Sequence, residues 1–242
     1  MATVTEMGET WDTNAGNKTV TATPNVNDLI VVVHGMSGFA GSDNSVITDD
    51  NSSGTYDKIG GSPMSTGGGT ACALWISVRK SLISSAVSTI FTATNTGDTG
   101  GGLTVLNVSG MSRVGADAVL QWVGESTQTE SPVVITFPQA TNTANPVIFG
   151  CFGEDNPAAL GPPASFTETT DTGWNSPTTG IHACYVSSGQ TSSQYTYASG
   201  AFTDHNEGGV ELKTSAFSVP IETCPARDQL GYSSLMTGRR WI

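Results

Sequence analysis

Positive charge is what this 242-residue chain lacks most: 9 Lys and Arg stand against 21 Asp and Glu, for a formal net charge of −12. Nucleic-acid binding needs a basic face to neutralise phosphates, so that class is set aside. Charge of either sign is scarce. Asp, Glu, Lys and Arg make up 12% of the residues, where soluble domains usually carry about 25%. The polar surface must therefore be built from Ser, Thr, Asn, Gln and Gly. No apolar run reaches the roughly 18 residues of a spanning helix, so no membrane partner is expected. The opening MATVTEMGET has no basic stretch followed by an apolar one, so no secretory leader is expected and synthesis in a cytoplasm is. Long helical periodicity is missing too. The best helical candidate, RKSLISSAVSTIF (79–91), is rich in Ser and β-branched residues and reads equally as a loop followed by a strand.

Catalytic signatures are also missing. LIVVVHGMSG (29–38) has the look of a hydrolase strand and oxyanion loop. That chemistry needs a Gly-x-Ser-x-Gly elbow, and GMSGF, GMSRV and GYSSL all lack the closing glycine. GGSPMSTGGGT (60–70) lacks the Gly-Lys-Ser/Thr of a phosphate loop and reads as a surface loop. Paired carboxylates at Asp49/Asp50 and Glu154/Asp155 sit in turn-forming clusters, and Glu211 and Lys213 read as one solvated strand face. SDNSVITDDNSSG (42–54) is rich in oxygen ligands but does not match a calcium loop. DHNE (204–207) reads as a hairpin loop, and His34 and His182 read as structural strand histidines. Cys72, Cys151, Cys184 and Cys224 show no zinc spacing, and three of them lie in apolar strand-like runs. Free, buried thiols are expected. The expectation is no enzyme, no catalytic residue, no metal and no cofactor.

What the chain does have is strands and turns. Its 29 glycines cluster with Ser, Asn and Asp between short apolar runs. DLIVVVHG (28–35) is a continuous apolar run, as a central strand covered on both faces requires. ACALWISVR (71–79) alternates Cys72, Leu74, Ile76 and Val78 against Ala73, Trp75, Ser77 and Arg79. Further alternating runs put Ala118, Leu120 and Trp122 together, then Val147, Phe149 and Cys151, then Ile181, Ala183 and Tyr185, then Val210 and Leu212. Period-two alternation predicts one dry and one wet face. About ten to twelve such strands predict an all-β chain, an antiparallel β-sandwich of jelly-roll type. The predicted division is an N-terminal segment (1–12), a sandwich domain (13–217) and an extended C-terminal arm (218–242).

The arm carries the partner-binding candidates. Alternation stops after Phe217, and GYSSLMTGRRWI closes the chain with two of its nine basic residues. Leu230, Tyr232, Leu235, Met236, Trp241 and Ile242 would bury against a neighbour, while Arg239 and Arg240 would pair with an acidic surface. Trp174, Tyr195 and Tyr197, read as loop aromatics, are the candidates for stacking on a glycan.

The succession Asp28–Val33, Asn51–Tyr56, Trp75, Gln121–Gly124 and Tyr195–Tyr197 resembles a β-sandwich module of tailed-bacteriophage virion proteins, over most of residues 13–217. Gln121 departs from it, since an acidic residue is more usual there. The resemblance implies a virion structural protein of the head decoration (cement) or tail accessory type, with other capsid or tail subunits as partners and a homo-oligomer within the particle. A carbohydrate or host-receptor module on the same particle is the alternative.

Overall fold

The computed structural model describes residues 1–38, 45–60, 64–65, 72–94, 100–130, 132–153, 160–169, 180–199 and 202–214. Nine strands come first: β1 (Thr3–Asp12), β2 (Lys18–Ala22), β3 (Leu29–Ser37), β4 (Val46–Asp49), β5 (Gly54–Lys58), β6 (Met64–Ser65), β7 (Cys72–Arg79), β8 (Thr89–Thr94) and β9 (Gly100–Ser109). A 3-10 turn (Gly115–Ala118) leads to β10 (Val119–Glu130), β11 (Val134–Thr136), β12 (Val147–Gly153), β13 (Gly161–Pro163), β14 (Thr167–Glu168), β15 (Gly180–Val186), β16 (Gln194–Ser199) and β17 (Phe202–Leu212). The fold is all-β, and every ladder among the described residues is antiparallel.

The first half is nested. β1 pairs with β9, β2 with β8, β3 with β7 and β4 with β5. Further ladders join these into one sheet in the order β1-β9-β3-β7-β5-β4-β8-β2, with β6 on β7. The sheet curls until β1 and β2 touch, giving a nearly closed, barrel-like shape. Its interior holds Val20, Ile30, Val32, Ile47, Phe91, Leu103 and Val105. The second half forms a sheet in the order β10-β17-β12-β15-β14 and a small one in the order β11-β16-β13.

Three apolar layers result. Leu29, Val31, Val33, Leu74 and Ile76 of the first sheet meet Ile148, Phe152, Ile181 and Val210 of the second. On the far face of the second sheet, Val147, Phe149, Cys151 and Cys184 meet Ile135, Tyr195 and Tyr197. All nine residues of β3 are buried, because odd positions face the second sheet and even ones face the curled interior. The continuous apolar run is the signature of that placement.

Several sequence expectations change here. Residues 1–12 are not outside the domain: β1 pairs with β9 from Thr3↔Ser109 to Asp12↔Gly101. Of the two readings of residues 79–91, the loop followed by a strand holds: β7 ends at Arg79, a loop follows, and β8 starts at Thr89. The second face of β7 is not wet, since all its residues are buried. It lies between β3 and β5 in the middle of a curled sheet, so Ala73 and Trp75 pack with Met36. DHNE is not a hairpin loop but the middle of β17, paired on both sides with β10 and β12. Cys72, Cys151 and Cys184 are free and buried, as expected; Cys224 lies outside the described residues.

Candidate functional site

Leu230, Tyr232, Leu235, Met236, Arg239, Arg240, Trp241, Ile242 and Trp174 all lie outside the described residues. Tyr195 and Tyr197 do not. Both sit in β16 at 5% and 1% exposure, so neither presents a ring face to a sugar and the glycan expectation loses them. The Tyr195 hydroxyl donates to Ser192 O at 2.9 Å and pairs with Thr141. Tyr197 accepts from the Cys184 thiol at 3.8 Å and meets the His182 ring edge-to-face. Both are expected in a loop by sequence and stand instead in a strand, under a sheet that comes from elsewhere in the chain.

Among the described residues, the candidate carboxylates are structural struts. Asp49 pairs with the buried Arg79. Asp50 Oδ1 accepts from the Ile90 amide at 2.8 Å. Glu211, expected in solvent, is 0% exposed. It accepts from Asn145 Nδ2 at 2.7 Å, the Asn142 amide at 2.9 Å and Gln121 Nε2 at 2.6 Å. Asn142 and Asn145 come from the loop before β12 and Gln121 from β10, which a local pattern cannot reveal. The second pair, Glu154 and Asp155, lies outside the described residues. His34 is a core histidine: its Nδ1 pairs with Ser45 Oγ at 2.9 Å and its ring stacks on Trp75.

A buried polar row crosses the second sheet. Glu207, Cys151 and His182 are register neighbours on β17, β12 and β15, and His205 Nε2 lies 3.2 Å from Glu207 Oε2. Among the described residues no group of three or more His, Cys, Asp or Glu is arranged to hold a metal ion. Burial pushes the His182 imidazole below its ordinary range, outweighing Glu168 at 3.3 Å. Partial burial and the charge of Glu207 across the ladder push Glu125 up.

The His182 shift has a sign. The fold keeps the ring neutral, while the unfolded chain protonates it near the free value of about 6.5. Its contribution to stability is therefore complete above about pH 6.5 and is lost as pH falls through the lower folded value. Thermal melts from about pH 7.5 to about pH 5 are expected to show a falling Tm whose slope flattens in His182→Gln. An unchanged slope in that variant would assign the acid sensitivity elsewhere.

The surface feature that does stand out is apolar. On β10, Leu120 and Trp122 are 50% and 46% exposed. Sequence alternation had put them on one face but not shown that the face was open. The Trp122 ring lies against Gly60, where an added Cβ would meet it at 3.0 Å. Around them Lys58, Ile59, Gly60, Ala116 and Val119 line a depression of about 220 Å³. A second depression, of about 290 Å³, shares Leu120 and adds Gln121, Pro138, Gln139 and Ala140. Gln121 fixes that wall, since its side-chain amide donates to Gln139 O and accepts from Gln139 N, each at 3.1 Å. A polar depression of about 320 Å³ lies at the β1–β2 seam, lined by residues including Glu6, Asn25 and Asn107. Burial raises the Glu6 carboxyl there. No family model, curated protein or solved structure matches this chain.

Proposed function

We propose that this protein is a non-enzymatic structural component of a bacteriophage virion that joins neighbouring capsid or tail subunits, with residues 218–242 as its attachment segment. The observation that carries an assembly role is the open Leu120–Trp122 face. Water does not favour such a surface, and large apolar side chains set in shallow pockets are what protein interfaces use as anchors. The buried struts at Asp49 and Glu211 weigh on the same side, since carboxylates held by structural donors are not free for acid–base work.

The fold reading sharpens with it. Pairing first with last, second with second-last, and so inward (β1–β9, β2–β8, β3–β7, β4–β5) supports an eight-stranded jelly roll in residues 3–109. Capsid proteins repeatedly use that architecture. On this reading residues 119–212 form a second packed-sheet layer on its outer face rather than part of one uniform sandwich.

The test is a stop codon after Asp228 in the virus that encodes the chain. Purified particles are then analysed by quantitative mass spectrometry. The shortened chain is expected to accumulate as folded protein and to fall to background in particles. Normal incorporation would remove the attachment role.

A further inference from the structure

We propose that the Leu120–Trp122 face receives residues 218–242 of a second copy of this chain. This rests on the assembly reading above and names the surface that the attachment segment uses.

The face fits a peptide from this chain. Among the described residues β10 is the outer strand of its sheet, pairing with β17 alone, and an outer strand is a ready template for an added extended segment. Its two depressions share Leu120 and flank Trp122. Asp57 and Asp117 stand at the rim: Asp57 Oδ2 accepts from the Ala116 amide at 2.9 Å, and Asp117 is the next residue on. Lys58 lines the depression and Lys80 pairs with Asp57 at 3.0 Å, so the rim is of mixed sign, with Asp117 its exposed acidic group. Residues 218–242 supply the complement. They hold three of the nine basic residues, Arg227, Arg239 and Arg240, beside Leu235, Met236, Trp241 and Ile242.

The direction of the chain favours a neighbour as donor. β17 passes Trp122 at Val210 and Val119 at Leu212, and Lys213 N donates to Ala118 O at 2.8 Å, so the strand is running away from Trp122 as it ends. Thr214 is then held on the other side of β17, by Asn145 Oδ1 at 3.2 Å and Ala144 O at 3.0 Å. The 28 residues from 215 to 242 span up to about 90 Å when extended, enough to reach the equivalent face of another copy.

The experiment measures mass by light scattering on the purified full chain and on full-length Leu120→Ser/Trp122→Ser. A fluorescent synthetic peptide of residues 218–242 serves as competitor. The full chain is expected to run at twice the monomer mass or more. The double variant is expected to run as a monomer with an unchanged far-UV spectrum, and excess peptide should dissociate the unaltered chain. A monomeric full chain, including one whose segment folds back on its own face, overturns the proposal, and so does a double variant of unchanged mass. Should the variant misfold, peptide competition on the unaltered chain decides alone. A monomeric chain that still needs residues 229–242 to enter particles sinks this pairing and leaves the assembly reading standing. Incorporation without those residues sinks the assembly reading itself.

Discussion

Replacing Arg79 with Met is expected to destabilise the fold by about 3–5 kcal/mol, the cost of leaving a buried charge without its partner. Arg79 is 1% exposed and Asp49 0%. The guanidinium forks onto the carboxylate, Nε donating to Oδ2 at 2.8 Å and Nη2 to Oδ1 at 3.2 Å. Nη1 donates to Ser81 O at 3.0 Å and Leu82 O at 3.0 Å, and Nη2 donates to Asn51 O. Asp49 also accepts from the Asn51 amide at 2.9 Å and the Tyr56 hydroxyl at 2.8 Å. Burial and the Asp49 charge hold the Tyr56 phenol far above its ordinary range, so it stays a donor. One ion pair thus ties the β4–β5 hairpin to the end of β7 and the loop that follows. Gly54 belongs to the same unit, because a Cβ there would collide with the Asp49 carboxylate.

One consequence separates this account from simple loss of packing. Replacing both partners, as Asp49→Leu/Arg79→Met, should recover much of the loss, since an apolar pair carries no desolvation penalty. Urea unfolding at fixed m-value measures both variants. A single-variant cost under about 1 kcal/mol, the range of an exposed pair, would show that the pair is not buried in solution.

These networks also mark where the sequence stops being legible. Alternation correctly assigned which residues share a face in β12, β15 and β7, because period two is a property of the strand alone. It did not say what covers each face. The second face of β7, the Glu211 face of β17 and the tyrosines of β16 were all expected in solvent or loops, and all are buried. In each case the cover comes from distant chain. β7 is covered by the curl of its own sheet, Glu211 by Asn142 and Asn145, and Tyr195 and Tyr197 by the far side of the second sheet. The reverse error occurs at Trp122, whose alternation suggested a core face that the structure leaves half open. The Leu29–Val33 run of β3 was readable because apolar residues at five successive positions admit only one kind of place. The chain's first strand was not, since Thr3–Asp12 mixes Glu, Thr and Gly and its identity comes from pairing with β9.

The same layering predicts a large effect from the smallest substitution. Gly35 of β3 and Gly102 of β9 are direct cross-strand neighbours. Facing them from the second sheet are Phe152 and Ile181, themselves cross-strand neighbours on β12 and β15 and both 0% exposed. A Cβ on Gly35 would run into the Phe152 ring, and one on Gly102 into the Ile181 side chain. Neither glycine needs a left-handed backbone, so their role is space: a paired hollow that admits a paired knob. Gly35→Ala is therefore expected to cost about 1–3 kcal/mol through overpacking. Phe152→Leu alone should cost on the order of 1 kcal/mol, as smaller core truncations do. Combined, the two should cost less than their sum, because the smaller side chain vacates the space the new methyl needs. A double-mutant cycle by urea unfolding reads the coupling directly, and the contact requires it to be at least about 0.5 kcal/mol in the rescuing direction. Additive costs would mean that the sheets shift apart to accept the methyl, and that the hollow does not set their spacing.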